Sequence, residues 1–299
     1  MAWFARGRQR TTSGAATGGR FLFLGGRRHV ADAPYVLPKD DKEIQRLDFQ
    51  HYLLRFAMRG NYAAPIAHPS SILDVGCGTG RWPIEVAEQF PNANVVGVDI
   101  VPPPTEAERP DRANRRPDNF AFIQGNILQG LPFANNSFDF VHMRLLVFAL
   151  PASRWQDVAN ELARVTRPGG WVEWMEGAIL LHGGGPAVER LNGYASAAGK
   201  GRGIEPMYVY RIGDFLQEAG LTGVQKRQIH IPIHTFAGRV GQMGVIDYLA
   251  VIEGLKGPLV GQGLVAPEEF DQTIRVARQE MDRYKVMATF PVAFGQRPR

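Results

Sequence analysis

A doubly wound α/β sheet is the fold class that this chain encodes, on three grounds. Short apolar strands alternate with amphipathic helices from Ser71 onward, which is the pattern of a parallel sheet covered on both faces. A glycine-rich turn follows the first of those strands. The length of 299 residues, 44% hydrophobic and 21% charged, is enough for one large core. The same composition excludes a disordered, collagen-like or disulfide-stapled chain.

Residues 1–30 are rich in Gly, Ser, Thr and Arg and read as a flexible basic leader. Their one apolar cluster, residues 21–24, is too short for the core of a signal peptide. Six arginines and no acid in this leader account for the net charge of +5, and the other 269 residues sum to −1. A near-neutral body speaks against a nucleic-acid enzyme, which needs its basic stripe on the folded surface. The longest apolar run, residues 140–150, is broken by His142 and Arg144, so no membrane span and a cytoplasmic protein are expected.

Beyond the leader, Asp40 or Asp41 can cap a helix whose stripe is Ile44, Leu47, His51 and Leu54. Strands follow at residues 72–75, 93–100, 120–123 and 138–141, with a helix between Pro83 and Pro91. Trp155, Val158, Leu162 and Val165 mark the next helix, and Pro168-Gly169-Gly170 turns it into a strand over 171–179. A helix over 210–219 and an alternating strand over 224–233 come next. Two helices over about 236–285 read as an insertion before the last strand, 287–294.

The richest segment is Ile72-Leu73-Asp74-Val75-Gly76-Cys77-Gly78-Thr79-Gly80, a strand running into a turn that opens a helix. Glycines there let the backbone approach a ligand, and the helix N-terminus offers free N–H groups. Asp99, 19 residues after Gly80 at the end of the next strand, can accept both hydroxyls of a ribose. A dinucleotide site wants a glycine at position 81, which is arginine here. Asp74, two residues before the first glycine, would repel a pyrophosphate and attract an ammonium or sulfonium. The single cysteine, Cys77, permits no disulfide, and it and Trp82 read as packing residues.

Taken with the VVGVD, QGN, SFDFVHMR and RVTRPGGWVE runs, DVGCGTG resembles the class I S-adenosylmethionine-dependent methyltransferases over residues 71–180. The upstream Tyr35-x-Leu37-Pro38 and Arg46-Leu47-Asp48-x-Gln50-His51 are similar to the LaeA-like branch known from microbial secondary metabolism. The resemblance implies a seven-stranded Rossmann-like core over 67–182, completed within 183–299 around a helical substrate lid, and a helical lid or oligomerisation segment over 31–66. It implies that Gly76, Cys77, Gly78 and Gly80 wrap the methionine part of S-adenosylmethionine, with Asp74 near its amino group. Asp99 would hold the ribose, Ile100 the adenine face, and Gly125, Asn126 and Ile127 the adenine edge. The family usually carries Asp where this chain has Asn126. His142 and Met143, read as just past the fourth strand, would border the methyl group.

Methyl transfer is an in-line displacement at an activated carbon, driven mainly by positioning and exclusion of water. A base helps when the acceptor is a hydroxyl, and the candidates are His142 and His182, with His230 and His234 behind them. Tyr35 and His51 would close over the site. Cytosine C5 chemistry lacks its cysteine, and nucleobase amino chemistry lacks its Asn/Asp-Pro-Pro-aromatic turn at 142–145. No clustered acidic set suggests a metal. The expected acceptor is a small, largely hydrophobic molecule, natural-product-like, with no nucleic-acid partner and a homo-oligomer conceivable through the N-terminal segment. Two rivals are a non-catalytic cofactor-binding regulator and a nicotinamide-dependent oxidoreductase.

Overall fold

The structure, a computed structural model, describes residues 21–30, 35–105 and 116–299. Residues 1–20 of the expected leader lie outside the described residues.

Residues 21–30 depart from that expectation. β1 (Phe21–Leu24) and β2 (Arg27–Val30) pair antiparallel across Gly25-Gly26, whose φ angles are 56° and 75°. Two apolar-containing runs separated by Gly-Gly are a hairpin signal, which composition alone had hidden. The hairpin turn lies on α6 (Gly238–Gly261), where a Cβ on Gly257 would come within 2.6 Å of the Leu24 carbonyl oxygen. Arg27 grips Asp40 through two hydrogen bonds of 2.8 and 2.7 Å. Asp40 in turn caps α1 (Asp41–Met58), accepting from the Glu43 N–H at 3.0 Å.

The central sheet is built from β3 (Ser71–Val75), β4 (Asn94–Asp99), β5 (Phe120–Gln124), β6 (Phe138–Arg144), β7 (Thr166–Met175), β8 (Ala178–His182), β9 (Thr222–Pro232) and β10 (Met287–Gln296). Its order is β5-β4-β3-β6-β7-β10-β8, with β9 also paired to β10. The first five strands pair in parallel, whereas β10 runs antiparallel to β7, β8 and β9. Among the described residues the sheet therefore has eight strands rather than seven. The span read as one strand over 171–179 breaks at Glu176 and Gly177, because the buried Glu176 carboxylate turns to accept the N–H groups of Leu146 and Val147 and the Trp174 indole.

Alternation along the strands separates two apolar layers. Ile72, Val95 and Phe140 face α2 (Arg81–Gln89) with Trp82 and Val86. Leu73, Val75 and Val141 face a larger core that includes α3 (Trp155–Val165), α5 (Ile212–Glu218), α6 and α7 (Pro267–Tyr284). α4 (Pro186–Lys200), which packs on α6 and α7, has no counterpart in the sequence reading. Pro186 at its first turn was the available signal. Strand order reverses between β3 and β6, and a doubly wound sheet opens its ligand crevice beyond the carboxyl ends at such a point.

Candidate active site

The turn after β3 shows why its glycines are needed. Gly76, Gly78 and Gly80 have φ of 71°, 56° and 80°, in the left-handed region. A Cβ on Gly76 would meet Leu146 at 2.7 Å, so the turn after β6 packs directly against the glycine loop. The Gly76 and Cys77 N–H groups donate to the Val98 carbonyl at 2.7 and 3.0 Å. Gly80 opens α2 without a side-chain cap, which leaves first-turn N–H groups for a ligand. Burial pushes the Cys77 thiol well up, with Asp99 and Asp74 adding to it. It is a neutral packing group, and Gly97 makes room for its sulfur.

These residues wall a cavity of about 1110 Å³, mouth included, at the crevice between β3, β4 and β6. At the end of β4, Asp99 accepts from the N–H of Gly78 (2.9 Å) and Val101 (3.1 Å), one on each oxygen, and Lys39 Nζ stands 4.0 Å away. Each oxygen keeps a lone pair for a diol. Ile100, Gly125, Asn126 and Ile127 line the same wall. Asn126 Oδ1 already accepts from Leu128 N–H at 3.0 Å, so its second lone pair and its NH2 group are what it can offer a ligand.

His142 and Met143 are placed differently from expectation. β6 continues to Arg144, and both side chains are buried, at 1% and 0% exposure, behind the cavity wall. His142 stacks on Trp82, with ring centres 3.8 Å apart and planes 2° from parallel, and its Nδ1 meets Asp74 Oδ1 at 2.7 Å. It orients the carboxylate that faces the cavity and does not itself line the wall. His182 is exposed at the end of β8 and lines neither this cavity nor its neighbour. His230 and His234 are likewise outside both.

His51 and Tyr35 do reach the cavity. His51 Nδ1 lies 2.8 Å from Arg144 Nη2, so the guanidinium donates and the ring proton sits on Nε2, 3.1 Å from Glu85. Burial lowers the His51 pKa, Glu85 raises it, and Arg144 lowers it further. The imidazole is neutral with its free lone pair already used. Burial likewise pushes the Tyr35 hydroxyl up, and Glu43 adds to the shift. Tyr35 keeps its proton at neutral pH and is a donor there rather than a base.

A second cavity of about 710 Å³ adjoins the first. Tyr35, Leu47, Gln50 and Leu145 belong to both walls. Beyond them it is mostly apolar, with Phe148, Ile179, Ile231 and Phe290 among its surfaces. Its charged residues are Arg46 and Asp247, and Tyr248 adds a hydroxyl.

Residues 72–170 match the family described as a methyltransferase domain. Over that stretch the chain is similar to methyltransferases, and its relatives are named as methyltransferases and as secondary metabolism regulators. It is similar to methyltransferase str3 of Strobilurus tenacellus, 36% identical over 48% of each chain, so the chain spans about half the length of that relative. N-methyltransferase sirN of Leptosphaeria maculans is 28% identical over 91% of this chain and 97% of its own. The secondary metabolism regulator laeA of Aspergillus niger is 34% identical over 48% of this chain and 36% of its own.

S-adenosylmethionine, the cofactor of these methyltransferases, fits the first cavity. That cavity is lined by charges of both signs, among them Asp74 on β3 and Arg144 at the end of β6. Burial pushes the Arg144 pKa down, and Asp74, Glu85 and Glu173 oppose that. It is a half-buried cation whose hydrogen bond goes to a neutral ring rather than to a carboxylate. Sequence reasoning missed Arg144, Gln50 and Lys39. Arg144 was legible only had the strand been carried three residues further, and Gln50 only from the face α1 presents.

Proposed function

We propose that this methyltransferase transfers a methyl group to a small, largely apolar acceptor seated in the second cavity. The observation that carries this reading is the shared wall: Tyr35, Leu47, Gln50 and Leu145 bound both cavities, so two occupants would meet across it. S-adenosylmethionine supplies a methyl group already activated on a sulfonium. Asp74 would hold its ammonium and Arg144 its carboxylate, while Gly76, Gly78 and Gly80 let the backbone close around it. Asp99 would hold the ribose, Ile100 the adenine face, and Asn126 and Ile127 its edge.

Catalysis on this reading is positional. Among the described residues no histidine stands free at the junction, since His142 is behind the wall and the Nδ1 lone pair of His51 is taken by Arg144. Tyr35 and Gln50 can orient an acceptor by hydrogen bonds, and the apolar walls exclude water, which suffices for a nucleophile placed in line about 3 Å from the methyl carbon. The helices α6 and α7 would form the lid over the acceptor.

The similarity to laeA favours one further reading, a cofactor-binding regulator. Calorimetric titration with S-adenosylhomocysteine, followed by an acceptor screen with labelled S-adenosylmethionine, separates them. Binding with turnover supports the enzyme, and binding without turnover on any apolar acceptor supports the regulator. A folded protein that binds neither form of the cofactor overturns both.

A further inference from the structure

The second cavity carries a charge arrangement that bears on what it admits. Glu43 and Arg46 of α1 pair through two hydrogen bonds of 3.0 and 2.7 Å. Arg46 Nη1 reaches on to Asp247 Oδ1 at 3.1 Å, and Gln50 Nε2 donates to Asp247 Oδ2 at 2.8 Å. The three charged groups are 1%, 8% and 4% exposed in the order Glu43, Arg46, Asp247. Two carboxylates thus share one guanidinium, and Arg46, the only basic side chain among the described residues of this wall, already spends three of its N–H groups on them. The next residue of α6, Tyr248, also lines the cavity, and its hydroxyl is buried with no hydrogen-bond partner. A buried hydroxyl left unpaired is costly, and such groups normally find a partner.

We propose that the second cavity takes acceptors that are uncharged or cationic and carry a hydrogen-bond-accepting atom for the Tyr248 hydroxyl, and that it rejects carboxylates, phosphates and other anions. An incoming anion would face the Asp247 carboxylate at low dielectric, with Glu43 behind it and Arg46 already engaged by both. A neutral hydroxyl or carbonyl compound meets no such opposition and gives Tyr248 its missing partner. A cationic amine gains from the surplus carboxylate. Burial pushes the Asp247 carboxyl up against the pull of Arg46 and Gln50. The proposal rests on the reading of this cavity as the acceptor site.

The test uses the full chain saturated with S-adenosylhomocysteine and three probes that share one apolar body: 3-phenylpropanol, 3-phenylpropylamine and 3-phenylpropanoate. Dissociation constants come from ligand-observed NMR. The alcohol and the amine are expected to bind at least about tenfold more tightly than the carboxylate. Asp247→Asn should bring the carboxylate to within about threefold of the alcohol, and Tyr248→Phe should weaken the alcohol about three- to tenfold. A carboxylate that binds wild type as tightly as the alcohol overturns the proposal, and that ranking requires no variant to fold. Discrimination that survives in a folded Asp247→Asn protein also overturns it. If none of the three probes binds while S-adenosylhomocysteine does, the cavity is not the acceptor site, and the reading beneath the proposal falls with it.

Discussion

Between Asp74 and Leu128 the chain supplies the glycine turn, Asp99 and Asn126, which make up much of the first cavity's rim. The second cavity joins residues that lie far apart in sequence: Arg46 and Asp247 are separated by 201 positions, Gln50 and Asp247 by 197. A site built from successive β–α turns inherits its geometry from local backbone, and one built between α1, α6 and β10 inherits it from packing. The first tolerates little chemical change at a given position, and the second can be retuned by changing helix faces.

The largest effect expected lies on the local side. Asp99→Ala removes the carboxylate that can hold the ribose and leaves Gly78 and Val101 without their acceptor. Titration calorimetry should show S-adenosylhomocysteine binding weakened by roughly 2–4 kcal/mol, about thirtyfold to several hundredfold. A loss under threefold would break the assignment of that end of the cavity.

Glu176 sharpens the comparison because it holds Leu146, which lines the first cavity, and Val147, which lines the second. Burial pushes its pKa from 4.5 up to about 7, against the three N–H groups that favour the anion. The folded state thus holds this proton more tightly than the unfolded state does. Its contribution is complete below about pH 4.5 and is lost as pH rises through about 7, a decline of roughly 3 kcal/mol. Urea denaturation at several pH values should show that slope, and Glu176→Gln should flatten it. Equal slopes in the two proteins would remove Glu176 as its source.

A smaller effect tests which part of the cofactor each group meets. Arg144→Met should weaken S-adenosylhomocysteine by roughly 1.5–3 kcal/mol, while 5′-methylthioadenosine, which lacks the amino-acid end, should bind as it does to wild type. Equal losses for both ligands would mean that the substitution disturbs the glycine loop instead. Smallest of all, Asp40→Ala removes the α1 cap and the partner of Arg27. Thermal unfolding should register about 1 kcal/mol, with S-adenosylhomocysteine affinity unchanged.

The parallel half of the sheet was legible because each strand there is a short apolar run bounded by turn residues. The glycine spacing and Asp99 were legible because their chemistry follows from neighbours in sequence. What was not legible depended on the third dimension. His142 looked like a cavity residue because β6 was ended three residues early; the pairing of His142 with Asp74 and Glu173 across the sheet puts it in the interior. The break at Glu176 reads in sequence as a continuous strand, since nothing local announces that a carboxylate will turn back to collect three N–H groups. The Glu43–Arg46 pair could have been read from its spacing on one helix, but Asp247 could not.

Four side chains common to the two walls make the occupancies of the cavities thermodynamically linked. Whatever factor an acceptor contributes to cofactor affinity through Tyr35, Leu47, Gln50 and Leu145, the cofactor returns to the acceptor in equal measure. S-adenosylmethionine and S-adenosylhomocysteine differ by one methyl group, which on the proposed arrangement lies at that partition. Any difference in how firmly the acceptor binds beside each is then a direct reading of how tightly the partition is packed.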